Sequence, residues 1–230
     1  MTAPHPAAPR FTAVADHALL VEFGDDISEL AHAAVLALDR ALGEAPPKGL
    51  REAVPAYVSL LVAFDPLLTD HETLAQDLRQ RLSPQPVPAS PTRQHEVPVC
   101  YEGEFAPDLD EVSRLTGLAR DAVIAAHLAG DYRVFMYGFA PGYAYLAGVP
   151  PPLHLPRKAA PVRNVAAGSV LIAGPQCLVT PLLMPSGWWV IGRSPTRILT
   201  QDPQQPFLFD VGDCVRFRRI ARSAFEASHG

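Results

Sequence analysis

Between Tyr132 and Arg193 the chain keeps interrupting itself. Apolar runs at Val134–Tyr137, Ser169–Ala173, Cys177–Thr180 and Trp188–Ile191 alternate with Gly/Pro-rich breaks. Short strand-like runs with such punctuation predict an antiparallel barrel or sandwich. The break from Gly138 to Ala167 is too long for a hairpin, and loops of that length in compact domains are functional or disordered. It holds three aromatics together with His154, Arg157, Lys158 and Arg163, a poor composition for a passive linker. A strand scaffold presenting one long, cationic, Pro-stiffened loop directs the search for a site to that loop.

The rest of the composition narrows the class. With 24 acidic and 19 basic residues the net charge is −5, which argues against a nucleic-acid surface, since phosphate binding needs a basic face. The cations at 157–163 are therefore local and suit a small anion. Proline is about twice as frequent as usual, 25 in 230 residues, and falls largely between apolar runs, as turn and strand-edge devices do. Cys100, Cys177 and Cys214 form no CxxC or Cys/His cluster, so no metal site and no disulfide framework is expected. They read as buried thiols of a cytoplasmic protein. No apolar run approaches the roughly 20 residues of a membrane span, and MTAPHPAAPR lacks the hydrophobic core of a secretory signal.

In chain order, residues 1–10 read as a disordered Pro/Ala tail. Ala18–Phe23 is a strand, and Asp26 with Glu29 has capping-box spacing ahead of Ile27, Leu30, Ala34, Leu38 and Ala41 at helical intervals. Val54 closes a short strand, and Tyr57–Phe64 is a strand apolar on both faces. Thr69 with Glu72 caps a helix carrying Leu74, Leu78 and Leu82. Strand, helix, strand, strand, helix suggests a ferredoxin-like α+β sandwich over 11–83. Four prolines within Ser83–Thr92 mark an extended linker, set at 84–94, and a second domain follows over 95–225. His95–Tyr101 fits either sheet. Two helical segments around Gly117 have a helix-turn-helix outline, but their acidic flanks favour a cover over a barrel end. Asp213–Ile220 alternates apolar and basic residues as a half-buried last strand.

Several residues carry candidate chemistry. Gly138 and Gly142 permit close backbone approach to a ligand, although no GK[ST] follows to make a phosphate loop. An arginine fork in the basic loop binds carboxylate, and a lysine or histidine transfers protons; the same residues also fit a merely solvated loop. Ser169 has no nucleophile elbow and suits local hydrogen bonding. Gln176 suits an amide contact or a turn. Trp188 and Trp189 suit a core, and Arg193 is a strand-end cation facing a loop.

GFAPGYAYL, LPRKAAP, AAGSVLIAG, PSGWWVIGR and DVGDCVRF together resemble the family of KipI and the 5-oxoprolinase B component, also called allophanate hydrolase subunit 1. ALLVEFG, VPAYVSLLVAFDP and VPVCYEGEFAPDLDEV extend the resemblance over nearly the whole chain. It implies an N-terminal α/β domain and a C-terminal cyclophilin-like β-barrel. It also implies partners, a KipA-like C component and a LamB/YcsF-type A component, and ATP, with magnesium, used by the assembled complex to open 5-oxoproline to glutamate. By itself the chain is expected to be inactive and to hold no cofactor or metal. Arg157 and Arg163 would hold a carboxylate or developing phosphate charge, Arg193 would contact the substrate, and His154 or Lys158 would give a proton. Ser169 and Gln176 would orient the amide, and Tyr143 would line the site or, with Tyr145, meet a partner. Lys158 stands where the family has arginine, Val162 where a further arginine is usual, and Ala166 where proline is usual. Relatives of the family also imply two alternatives: a carboxyltransferase acting on urea-like acceptors in a biotin-dependent system, and a non-catalytic inhibitor of a histidine kinase.

Overall fold

The computed structural model describes residues 8–82 and 93–228. The chain divides into two compact units, Met1–Pro91 and Thr92–Gly230. The first seven residues of the expected tail and the expected linker at Ser83–Thr92 lie outside the described residues.

In the first unit, strands β1 (Arg10–Val14) and β2 (Ala18–Glu22) precede helix α1 (Glu29–Glu44), strands β3 (Leu50–Pro55) and β4 (Ser59–Phe64), and helix α2 (His71–Arg81). The sheet is antiparallel in the order β1-β2-β4-β3. Two details differ from the sequence reading. Arg10 is the first residue of an edge strand, so the sheet gains an N-terminal member that an Ala/Pro-rich tail concealed. β4 also buries only alternate residues, Leu60, Val62 and Phe64, as a strand with one covered face does. These pack with Val21, Val35, Leu38, Leu42, Leu74 and Leu78 in one core.

Both helix starts are shifted as well. The N-cap of α1 is Ser28, whose hydroxyl accepts from the Ala31 amide at 3.1 Å, and that of α2 is Asp70, which accepts from Thr73 at 2.8 Å. Asp26 and Thr69 have the right chemistry but the wrong register. The buried stripe of α1 accordingly runs through Ala31, Val35, Leu38 and Leu42, while Leu30 stays 59% exposed.

In the second unit, β5 (Gln94–Val99) is followed by α3 (Leu109–Thr116), α4 (Arg120–Leu128), β6 (Tyr132–Tyr137), β7 (Ala144–Ala147), β8 (Val162–Val165), β9 (Ser169–Ala173), β10 (Gln176–Val179), β11 (Met184–Ser186), β12 (Trp189–Arg193), β13 (Cys214–Arg219) and α5 (Arg222–Ala227). Seven strands form one sheet, β12-β9-β10-β7-β6-β13-β5, antiparallel except for the parallel pair β13–β5. The residue after β5 meets the end of β12: Cys100 and Arg193 exchange main-chain hydrogen bonds of 2.8 and 2.9 Å. That bridge joins the two edge strands and nearly closes the sheet into a barrel, which removes the exposed edges. β5 thus belongs to the second unit, the point its sequence left open. The expected long loop is likewise interrupted, since β7 pairs with β6 and β10.

Alternate strand residues serve two cores. Val170, Ile172, Cys177, Val179 and Ile191 join Val97, Val99, Val134, Leu146, Val215 and Phe217 in one cluster. Leu109 and Val112 of α3 and Val123 and Ile124 of α4 enter the same cluster, so the helix pair covers the barrel. Leu171, Ala173, Leu178 and Val190 face the other way and pack with Tyr143, Trp188, Val165 and Met184. Cys100 and Cys177 are buried and Cys214 is half-buried, all as free thiols. No helix among the described residues is long and apolar enough to cross a membrane.

Candidate functional site

The segment after β6 begins with a tight turn. Gly142 lies at φ +72°, and a Cβ there would come 2.7 Å from Leu199 Cδ2, so glycine lets this turn pack closely. Phe139 adopts the same left-handed region at φ +68° although it has a side chain, and it is 72% exposed. Its ring lies 5.2 Å from Tyr143, Tyr143 lies 5.0 Å from Tyr145, and Tyr145 lies 5.9 Å from Trp188. Arg157 stands over the Trp188 ring at 5.6 Å. Burial pushes the Tyr143 phenol well above its ordinary range, and the nearby Arg157 charge only partly opposes this. Tyr143 and Arg157 are therefore brought together around Trp188. Tyr143 is itself buried, which removes it as an exposed partner contact; Phe139 is the aromatic that faces solvent.

The other basic residues of the segment engage separate partners. The Lys158 ammonium is 2.5 Å from Asp108 Oδ2, with side chains only 12% and 19% exposed, and the Lys158 amide donates to the Gly187 carbonyl at 2.7 Å. Asp108 Oδ2 also accepts from the Val190 amide at 2.6 Å. This is a tertiary pin between the loop, α3 and β12. His154 Nε2 donates to the Val149 carbonyl at 2.7 Å, which fixes its proton on that nitrogen while the ring is neutral. Arg163 lies exposed on β8 with no hydrogen bond or ion pair among the described residues. Gln176 is half-buried at the start of β10, opposite Ala173 and Ala147.

Ser169 and Arg193 occupy different ground. They face each other across the β9–β12 pair, beside a cavity of about 290 Å³ lined by Ala167, Gly168, Thr180, Pro181 and Arg193–Leu199. Gly168 stitches its wall: its amide donates to the Thr180 carbonyl and its carbonyl accepts from Ser194, both at 2.8 Å. At φ +80°, any Cβ on Gly168 would overlap the Ser194 carbonyl oxygen, which is the physical reason for glycine in AAGSV. Arg193 Nε donates to the Ala167 carbonyl at 3.1 Å. Thr180, Ser194, Thr196 and Arg197 are cavity residues that the sequence reading passed over, although the run Arg193-Ser-Pro-Thr-Arg197 carried a visible signal in its paired cations.

The model for the carboxyltransferase domain, subdomain C and D, matches residues 9–209. A Bacillus subtilis (strain 168) protein, named as the B subunit of 5-oxoprolinase, is 36% identical over 223 residues, covering 92% of this chain and 93% of the relative. This chain belongs to the family of KipI and the 5-oxoprolinase B component. Among solved structures, TTHA0988 is 40% identical with a TM-score of 0.78 over 89% of the chain, which spans only 40% of that longer polypeptide. The urea amidolyase of K. lactis superposes with a TM-score of 0.81 at 17% identity, covering 97% of this chain and 15% of that one. That likeness is one of fold. Family membership accounts for GFAPG, AAGSV and GWWVIGR occurring together in one chain, and the geometry gives Gly142 and Gly168 a packing role.

Proposed function

We propose that the chain is the B component of an ATP-dependent 5-oxoprolinase, a cytoplasmic assembly that opens 5-oxo-L-proline to L-glutamate. The observation carrying this is the 36% identity to a 5-oxoprolinase B component across nearly the full length of both chains. On this reading its partners are a KipA-like C component and a LamB/YcsF-type A component, and it turns nothing over alone. Its first unit is a ferredoxin-like sandwich whose outer strand comes from the N-terminus, and its second is a cyclophilin-like barrel. Among the described residues no group of three His, Cys, Asp or Glu side chains could hold a metal, and the cavity is small for a nucleotide. On this reading ATP, with magnesium, is used by the assembled complex, and this chain alone binds no cofactor.

Within that reading Arg157 and Arg163 meet the phosphate charge that develops as the amide is activated, His154 offers a proton site at Nδ1, and Ser169 and Gln176 orient the amide. Lys158, held by Asp108, serves to hold the loop. Reconstitution tests the whole. The chain, mixed with its A- and C-type partners, should form glutamate from 5-oxoproline together with ADP only when all components are present. Arg157→Ala should remove that turnover while the chain stays folded. A stable three-component complex without turnover would overturn the proposal.

A further inference from the structure

The cavity beside Gly168 has an unusual polar inventory. The Thr180 hydroxyl is already engaged, accepting from the Ser169 amide at 2.8 Å and donating to the Ala166 carbonyl at 2.7 Å. The buried Ser194 hydroxyl accepts from the Thr196 amide at 3.1 Å, which leaves its hydrogen to donate. Arg193 is oriented through Nε on the Ala167 carbonyl, which leaves both terminal nitrogens of its guanidinium. Arg197 is exposed, with no hydrogen bond or ion pair among the described residues. No acidic side chain among the described residues lines the cavity. Two permanent positive charges and several spare donors thus meet no carboxylate in the cavity lining, an arrangement that suits a planar anion taken by arginine forks.

Size and walls narrow the ligand. A volume of about 290 Å³ falls just under the usual range for small-molecule sites, about 300–1,000 Å³, which fits a small metabolite and not a nucleotide. Pro181, Pro195, Ile198 and Leu199 supply an apolar side for ring methylenes. We infer that this cavity is a binding site for a small monocarboxylate carried on a compact, partly apolar ring, with Arg193 and Arg197 on the carboxylate and Ser194 as a further donor. Its assignment to 5-oxoproline rests on the proposed function; its preference for carboxylate rests on the cavity alone.

The test is a calorimetric titration of the full chain, alone and with its A- and C-type partners. The ligands are 5-oxo-L-proline, 2-pyrrolidinone (the same ring without the carboxylate) and inorganic phosphate. Saturable binding of 5-oxoproline is expected, with no binding of 2-pyrrolidinone at the same concentrations. Arg197→Ala and Arg197→Gln should each weaken it about tenfold to a hundredfold, the loss of a charge-assisted hydrogen bond, with unchanged circular dichroism. Wild-type affinity in both variants, equal binding of 2-pyrrolidinone, or no saturable binding with or without partners would overturn the site. Phosphate binding as tightly as 5-oxoproline would overturn the carboxylate preference. Failure of the functional reading looks different: the cavity would bind the acid in an Arg197-dependent way while the complete assembly makes no glutamate.

Discussion

His127 is fully buried in the barrel core, with Nδ1 2.8 Å from the Tyr101 hydroxyl and Nε2 3.7 Å from Cys177 Sγ. Its ring lies against Phe217 and Tyr132, and the Tyr132 hydroxyl donates to its carbonyl. None of these neighbours carries charge near neutral pH, so burial lowers the imidazole pKa to about 3. The folded chain keeps His127 neutral, whereas the unfolded chain protonates it near 6.5. Its contribution is fully present above pH 6.5 and is lost as pH falls toward 3, at up to about 1.4 kcal/mol per pH unit. Urea midpoints of the second unit should therefore fall between about pH 7 and about pH 5, above the range where carboxylates titrate. His127→Gln should be less stable at neutral pH but flatter across that window. Parallel pH profiles for the two proteins would show that His127 does not set the acid limit.

Between elements, the Lys158–Asp108 pair is the contact with the largest expected effect. One carboxylate oxygen holds both the lysine from the loop and the Val190 amide of β12, at the residue that starts α3. The Asp108 amide in turn donates to the Val190 carbonyl at 3.1 Å. Removing the ammonium leaves a mostly buried carboxylate with only its amide partner, and losing one member of a buried pair costs about 3 kcal/mol or more. Lys158→Ala should lose roughly that much stability in urea unfolding, and Lys158→Arg should lose less. A Lys158→Ala protein with wild-type stability would mean that the pair only decorates the surface. Turnover measured per folded molecule separates this from a chemical role, since a pin lowers the folded fraction and a proton donor lowers the rate.

For the whole molecule, the two large cores share no residue: one draws on Leu19–Leu78 and the other on Val97–Phe217. The barrel also completes itself from its own strands, β5 included. A fragment spanning 92–230 should therefore fold alone with a single cooperative urea transition and keep its affinity for 5-oxoproline. A molten fragment, lacking near-ultraviolet circular dichroism, would show that the barrel depends on the first unit.

Much of this was legible in the residues. Gly/Pro-bounded apolar runs located β6, β9, β10 and β12, because a strand's local pattern records its own burial and its turns. Alternating apolar and basic residues likewise located β13, with Val215 and Phe217 inside. The capping patterns point early at both α1 and α2, since Asp26, Ser28, Thr69 and Asp70 all have capping chemistry and only packing of Val35, Leu38 and Leu74 on the sheet selects the register. What needed the tertiary structure is whatever joins distant residues. The parallel pairing of β5 with β13 brings Gln94 beside Cys214, the pin brings Asp108 to Lys158, and the cavity gathers Gly168, Thr180 and Arg197 from separate turns. The sequence by itself determined that this is a two-part chain of its family with a glycine-rich, arginine-bearing barrel. Only the fold decided which arginines share a cavity, because charge and burial at a site depend on neighbours that local periodicity does not encode.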